Sequence, residues 1–209
     1  QGYPKAGDWH LEIQGQTRRY DLWKVFSSDD LDVSLRGHLD LDGYLAIPAS
    51  ARSVISVGAQ RSRLSWTRAD GKLASFDREL NRVATFSSGG PLRDGRFAPD
   101  VLAPGEFIVS ALSSGTIQSD PRSSFALPHD SGLLIADDGL HGVLRGTSQA
   151  APHAAGAVAL LLQFSPGLLT NDVRELLRTT SLLPNFQGFG PRHGFGQIRL
   201  ENALARLQN

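Results

Sequence analysis

Hydrophobic and polar positions change their rhythm along this chain, and the change falls near residue 44. Before it, Trp9, Leu11 and Ile13 alternate with His10 and Glu12, and Leu31, Val33 and Leu35 repeat the same period of two, the mark of strands with one buried face. Between them Tyr20 to Phe26 is rich in aromatics and apolar on both faces, and the polar run Ser27-Ser28-Asp29-Asp30 turns the chain. Residues 1–44 are therefore expected to form a small β-rich unit with too few strands to close a core alone. After it, Val54 to Ala59 is a short apolar run suited to a sheet covered on both faces. Leu73 to Phe76, Phe107 to Leu112 and Leu133 to Ala136 are further strand candidates, and Ser87 to Gly105, dense in Gly and Pro, reads as an extended irregular connection.

Three helices follow. Ala150 to Phe164 is almost wholly Ala, Val and Leu without charge; about 15 residues fall short of the roughly 20 that a membrane span needs, so a buried core helix is expected. Thr170 to Ser181 is amphipathic, with Thr170 as expected N-cap, Asp172 and Glu175 early, Arg178 late, and Val173, Leu176 and Leu177 on one face. Leu200 to Leu207 is the third and shortest.

Composition narrows the chemistry. With 21 basic and 21 acidic residues among 209, the net charge is zero, and nothing in the electrostatics points to nucleic acid or anionic lipid. The absence of Cys excludes disulfides, thiolate metal sites and cysteine nucleophiles. Gln1 to Asp8 lack the features of a signal peptide and the chain contains no Met, which reads as a processed piece of something longer. The acidic residues Asp29, Asp30, Asp32, Asp40 and Asp42 match no calcium-loop spacing and read as solvated turns, so no metal cluster is expected.

The candidate chemistry lies in Gly146-Thr147-Ser148-Gln149-Ala150-Ala151-Pro152-His153, where a serine stands at the entrance of the most apolar helix. Such a serine can cap the helix, while the unpaired first-turn amides and the positive end of the dipole stabilise an oxyanion formed beside its hydroxyl. Gly146 admits a substrate backbone, and Ala150 and Ala151 keep bulk away. Pro152 fits a first turn, whose amides are unpaired in any case. The alternative is a plain cap on a buried helix. His153 comes five residues later, about 500° round the helix from Ser148, and reads as a core histidine.

This run resembles the nucleophile motif of the subtilisin-like serine peptidases, the subtilase family. Ile47-Pro48-Ala49-Ser50-Ala51 leading into Val54 to Ala59 is similar to the family's approach to one core strand. The run from Ala84 to Gly105 is similar to its Gly/Pro connection, and Gly194-Phe195-Gly196-Gln197-Ile198 with Asn202-Ala203-Leu204 to its closing segment. The resemblance implies an α/β fold, a three-layer α/β/α sandwich around a mostly parallel sheet, with residues 45–209 as the C-terminal part of the catalytic domain. It implies Ser148 as nucleophile, and Gly146 and Thr147 as the substrate and oxyanion environment. The front strands resemble part of a β-sandwich insertion found in some members. Carbonyls at Ala49, Ala51 and Val54 resemble a weak cation site, with calcium as a possible structural ion and no other cofactor. An extracellular or periplasmic location is implied by analogy alone.

The family's Asp and His motifs and its oxyanion Asn have no counterpart in the expected places. Asp130-Ser131-Gly132 mimics the Asp motif in the wrong order, and His141-Gly142 mimics the start of the His motif but reads as loop; His10, His38 and His193 have no motif around them. Two readings follow. In one, this is the nucleophile-bearing part of a serine endopeptidase whose Asp, His and Asn come from an N-terminal half, with a peptide or protein as substrate. In the other, it is a non-catalytic pseudo-peptidase that keeps the fold for binding.

Overall fold

Two parallel strands form the centre: β1 (Val57–Arg61) runs beside β4 (Val101–Glu106), with Val57, Gly58 and Ala59 opposite Val101, Leu102 and Ala103. The computed structural model describes residues 12, 14, 45, 47–116, 123–125, 134–182 and 189–208. The strands expected around Trp9, Tyr20 and Leu31, and the Asp130-Ser131-Gly132 turn, lie outside them. The chain divides into two compact units, Gln1–His38 and Leu39–Asn209. Everything below concerns the second.

Sequence periodicity places the first core strand three residues early. Val54 to Ser56 are drawn away from the ladder by side chains: the Ser56 backbone N–H and hydroxyl both donate to Asp100 Oδ2 (2.6 and 2.9 Å), and the Asp100 N–H donates back to Ser56. This reciprocal clamp fastens the two strands together just before they begin to pair. The stretch Val101–Glu106, expected to be irregular, is instead a buried strand. Its Pro104 stands opposite Gln60, Glu106 stands opposite Arg61, and Gly105 is skipped. A bulge is where a strand tolerates Pro and Gly, and the same two residues hide it from a sequence reading. Beyond the bulge Glu106, with no exposed surface on its side chain, receives Arg61 Nε at 2.8 Å.

Helix α1 (Thr147–Phe164) packs on both strands. Ala150, Ala154, Ala157 and Leu161 are buried at helical spacing, and Ala150 clusters with Ala59, Ala84 and Ala103, so helix and sheet approach closely over small side chains, with Val57 and Ile198 packed beside them. Outside that stripe Leu160, Leu162 and Phe164 remain exposed at 48%, 37% and 48%. The expected core helix is thus buried on one side only, because the described residues cover only that side. Helix α2 (Thr170–Thr180) buries Val173, Leu176 and Leu177 against Val101 and Leu161, and α3 (Leu200–Leu207) adds Ala203 to the same cluster. Thr170 is not the N-cap of α2: Leu169 is, and its N–H donates to Asp172 Oδ2 at 2.9 Å. The closing segment runs along the other edge of β4, with Leu102 N–H on the Gly196 carbonyl and Ile198 N–H on the Leu102 carbonyl.

Two hairpins complete the unit. β2 (Ser65–Thr67) pairs antiparallel with β3 (Leu73–Ser75), and Trp66, Phe76 and Phe107 stack into a separate aromatic core with Val143. β5 (Ile108–Ala111) pairs antiparallel with β6 (His141–Leu144). His141 therefore lies on a strand and not in the expected loop. The described part of the Leu133 to Ala136 candidate contributes only isolated bridges, Ile135 to Gly142 and Ala136 to Arg68.

Candidate active site

The polypeptide reaches the expected nucleophile by a short, tightly specified path. Gly146 is the N-cap of α1, with φ 154° and ψ 163°, a region open to glycine and closed to side chains. Its N–H donates to the Gly105 carbonyl at 2.8 Å. A Cβ on Gly105 would stand 2.7 Å from Ala59 Cβ and 2.9 Å from the Gly146 oxygen, so glycine there is what lets the end of β4 touch the helix entrance. Both glycines act through backbone placement, one by its angle and the other by its lack of bulk.

Ser148 is the second residue of α1 and is exposed. It is not the cap, because Gly146 fills that position and no side chain caps this helix. A serine within the first turn keeps its hydroxyl free for other work, and the Ser148 hydroxyl makes no hydrogen bond to any described residue. No acidic side chain occupies the first turn, so its open amides and the dipole face whatever lies beside Ser148. Thr147, the first helical residue, is exposed next to it.

Ser148 borders a cavity of about 540 Å³ formed between the start of α1 and the β5–β6 hairpin, with Gln149, Pro152 and His153 on the helix side and Ser110 and Leu144 among the hairpin residues. Sequence reading missed the hairpin's part in this wall, although the strand candidate starting at Phe107 was legible. It also misplaced His153. A net turn of about 140° from Ser148 still leaves both at the rim of one wide cavity, and His153 is exposed, not part of the core. Its Nδ1 lies 2.8 Å from the Gln149 carbonyl and must carry the proton it donates there, so in the neutral imidazole the acceptor is Nε2.

His141 offers an oriented imidazole of another kind. Its Nδ1 lies 2.6 Å from Asp138 Oδ2. The Leu140 backbone N–H and the His141 ring hold the Asp138 carboxyl below its ordinary range. Alternation along β6, however, sends Gly142 and Leu144 towards the Ser148 cavity and His141 with Val143 towards the other face. Among the described residues, no imidazole is within hydrogen-bond reach of Ser148; His193 Nδ1 lies 2.9 Å from the Gly194 carbonyl.

The residues expected to hold a weak cation fall elsewhere. Ala49, Ala51 and Val54 border a second cavity, of about 460 Å³, where arginines already serve two of the three carbonyls: Arg96 Nη1 donates to Ala51 O at 3.3 Å and Arg174 Nη2 to Val54 O at 2.7 Å. A cation there would meet used lone pairs and four guanidinium groups, so the site does not fit one. Among the described residues no group of three or more His, Asp or Glu side chains could hold a metal ion.

Comparison with known proteins bears on the whole arrangement. The sequence pattern described as the subtilase family, Peptidase S8, matches residues 39–197. The chain belongs to the subtilase family. It is similar to serine protease AprX of Bacillus subtilis, 32% identical over 161 residues, or 77% of this chain and 31% of that protein. It also matches the serine protease/ABC transporter B family protein tagB of Dictyostelium discoideum, 40% identical over 49% of this chain and 5% of that one. Among solved structures, fervidolysin from Fervidobacterium pennivorans superposes with a TM-score of 0.51 at 31% identity, covering 76% of this chain and 20% of that chain. The Clostridium perfringens CspB protease superposes with a TM-score of 0.56 at 23% identity, covering 81% and 30%, and shows the shared fold. The subtilase relatives are thus much longer than the part this chain matches, and the α/β fold expected from the resemblance is theirs.

Proposed function

We propose that this chain is the nucleophile-bearing part of a subtilisin-like serine endopeptidase, which hydrolyses peptide bonds through an acyl-enzyme on Ser148. The observation that carries the reading is an exposed, unengaged hydroxyl in the first turn of a dipole-bearing helix, at the edge of a cavity walled by a β-hairpin. The serine protease relatives support the same chemistry.

In this mechanism Ser148 Oγ attacks the scissile carbonyl carbon and loses its proton to an imidazole. The carbonyl oxygen becomes an oxyanion beside the open amides at the start of α1, and Gly146 leaves room for the substrate backbone. The imidazole then passes its proton to the leaving amine, which departs, and water repeats the sequence to release the acid. The imidazole, its orienting Asp and the oxyanion Asn come from an N-terminal half. The exposed apolar face of α1 supports a missing neighbour, since Leu160 and Phe164 each remain 48% exposed.

The lack of an imidazole within hydrogen-bond reach of Ser148 among the described residues also favours a second reading, a pseudo-peptidase scaffold. A fluorophosphonate probe on the chain expressed alone and coexpressed with its N-terminal half separates the two. The peptidase reading expects an adduct at Ser148 and peptide hydrolysis only in the coexpressed material. Labelling at another serine, or no hydrolysis by a monodisperse complex, refutes it.

A further inference from the structure

The second cavity shares no described residue with the one beside Ser148, and among the described residues its charges do not balance. Arg52, Arg96, Arg174 and Arg178 line it, with Asp100 as the acid among them and Phe97 beside them. Two of these guanidinium groups are engaged by carboxylates. Arg178 donates to Asp100 Oδ1 from Nε and Nη2 (2.9 and 2.5 Å) and to Glu175 at 2.8 Å, and Arg96 Nε donates to Asp94 at 2.8 Å. Asp100 has nothing left to offer, because its other oxygen accepts from Ser56.

Arg174 is the unbalanced one. Its side chain is only 15% exposed, yet its hydrogen bonds all go to neutral acceptors: Nη1 to Asn171 Oδ1, and Nη2 to the Arg52 and Val54 carbonyls at 2.8 and 2.7 Å. The carboxylate oxygen nearest its Nε is Asp100 Oδ1 at 3.9 Å, already shared with Arg178. Arg52 completes the surplus, 82% exposed and 3.9 Å from Asp94. A largely buried cation whose hydrogen bonds all go to dipoles, with one shared carboxylate oxygen 3.9 Å away, has lost more hydration than it has gained in counter-charge, and a planar guanidinium matches an oxyanion best.

We propose that this cavity is an anion site, which takes a carboxylate or phosphate oxyanion at Arg174 and Arg52. Phe97, 54% exposed and stacked on Phe189 at 4.4 Å, gives the carbon part of such a ligand an apolar wall. The place where the family resemblance implies a weak cation therefore binds the opposite charge in this chain. The inference uses nothing from the peptidase reading and stands if that reading fails.

Thermal melting and calorimetry test it, on this chain alone or with its N-terminal half, whichever is monomeric and melts cooperatively. Inorganic phosphate and succinate are titrated separately, with sodium chloride balancing ionic strength. A saturable rise in melting temperature is expected with at least one of them, and the one that saturates at lower concentration identifies the source as phosphate or carboxylate. Arg174→Gln is expected to weaken that binding by about tenfold or more, the worth of one charged hydrogen bond. Arg52→Gln, at an exposed side chain that folding does not need, is expected to weaken it several-fold and carries the test if Arg174→Gln does not fold. A response that chloride reproduces, or an affinity that Arg52→Gln leaves unchanged, overturns the proposal.

Discussion

The cavity beside Ser148 and the cavity around Arg174 are built on opposite terms. Beside Ser148 the described residues leave groups open: a hydroxyl without a partner among them, helix amides without acceptors, and an imidazole nitrogen on His153 to which none of them donates. Around Arg174 they do the reverse, with the carbonyls of Ser50, Ala51, Arg52 and Val54 and both oxygens of Asp100 all taken, and only positive charge left over. The first arrangement is inert until another group completes it, since a serine hydroxyl needs a base. The second is complete as structure and needs an ion only to balance its field. Open donors and acceptors at a helix entrance mark chemistry; a saturated network with surplus charge marks a strut that can also bind.

The largest expected effect breaks the comparison on the Ser148 side. On the peptidase reading, Ser148→Ala in the coexpressed complex is expected to lower kcat by about a million-fold while the melting temperature stays where it was, because the side chain is exposed and bonds to nothing described. Steady-state hydrolysis beside a thermal melt checks it, and a variant that loses stability instead would make Ser148 a structural residue.

A smaller effect, of the opposite kind, is expected at the second cavity. Asp100→Asn removes the charge that holds Arg178 and weakens the clamp on Ser56, at a cost of about 3 kcal/mol of stability, with activity per folded molecule unchanged. Denaturant unfolding measures the first and active-site titration the second. The same variant is expected to bind phosphate or succinate more tightly, since a competing carboxylate charge is gone.

The smallest effect is a pH dependence. Asp94 is held below its ordinary pKa, chiefly by its hydrogen bond with Arg96, and Asp138 chiefly by the Leu140 N–H and then by His141. A carboxyl whose folded pKa is depressed stabilises the fold above its unfolded value, and that contribution disappears as pH falls through the folded one. Both groups are exposed, so a slight loss of melting temperature below about pH 4 is expected, removed by Asp94→Asn together with Asp138→Asn. An unchanged acid slope in the double variant rules these two carboxyls out as its source.

Much of this was legible in the sequence. Local chemistry determined the helices, because Ala, Val and Leu at helical spacing need no distant partner to declare themselves, and α3 begins and ends where expected. It also placed Gly146 and Ser148 at the entrance of α1, since a serine at the entrance of an apolar helix after a glycine is a short-range pattern. The places where sequence reasoning failed are those where distant residues decide. Val101–Glu106 became a strand because β1 lay beside it and a bulge absorbed Pro104 and Gly105, while Val54 to Ser56 left the ladder because Asp100 and Arg174 bound them from 44 and 120 residues away. His141 joined a hairpin through pairing with Ala111, and His153 turned out to be exposed. Arg174 and Arg178, one helical turn apart, could be seen to share a face of α2, but only the tertiary structure brought them to the carbonyls where the resemblance implied a cation. Hydrogen-bond partners across long loops and the net charge of a cavity are sums over residues far apart in the chain, and no local pattern contains them.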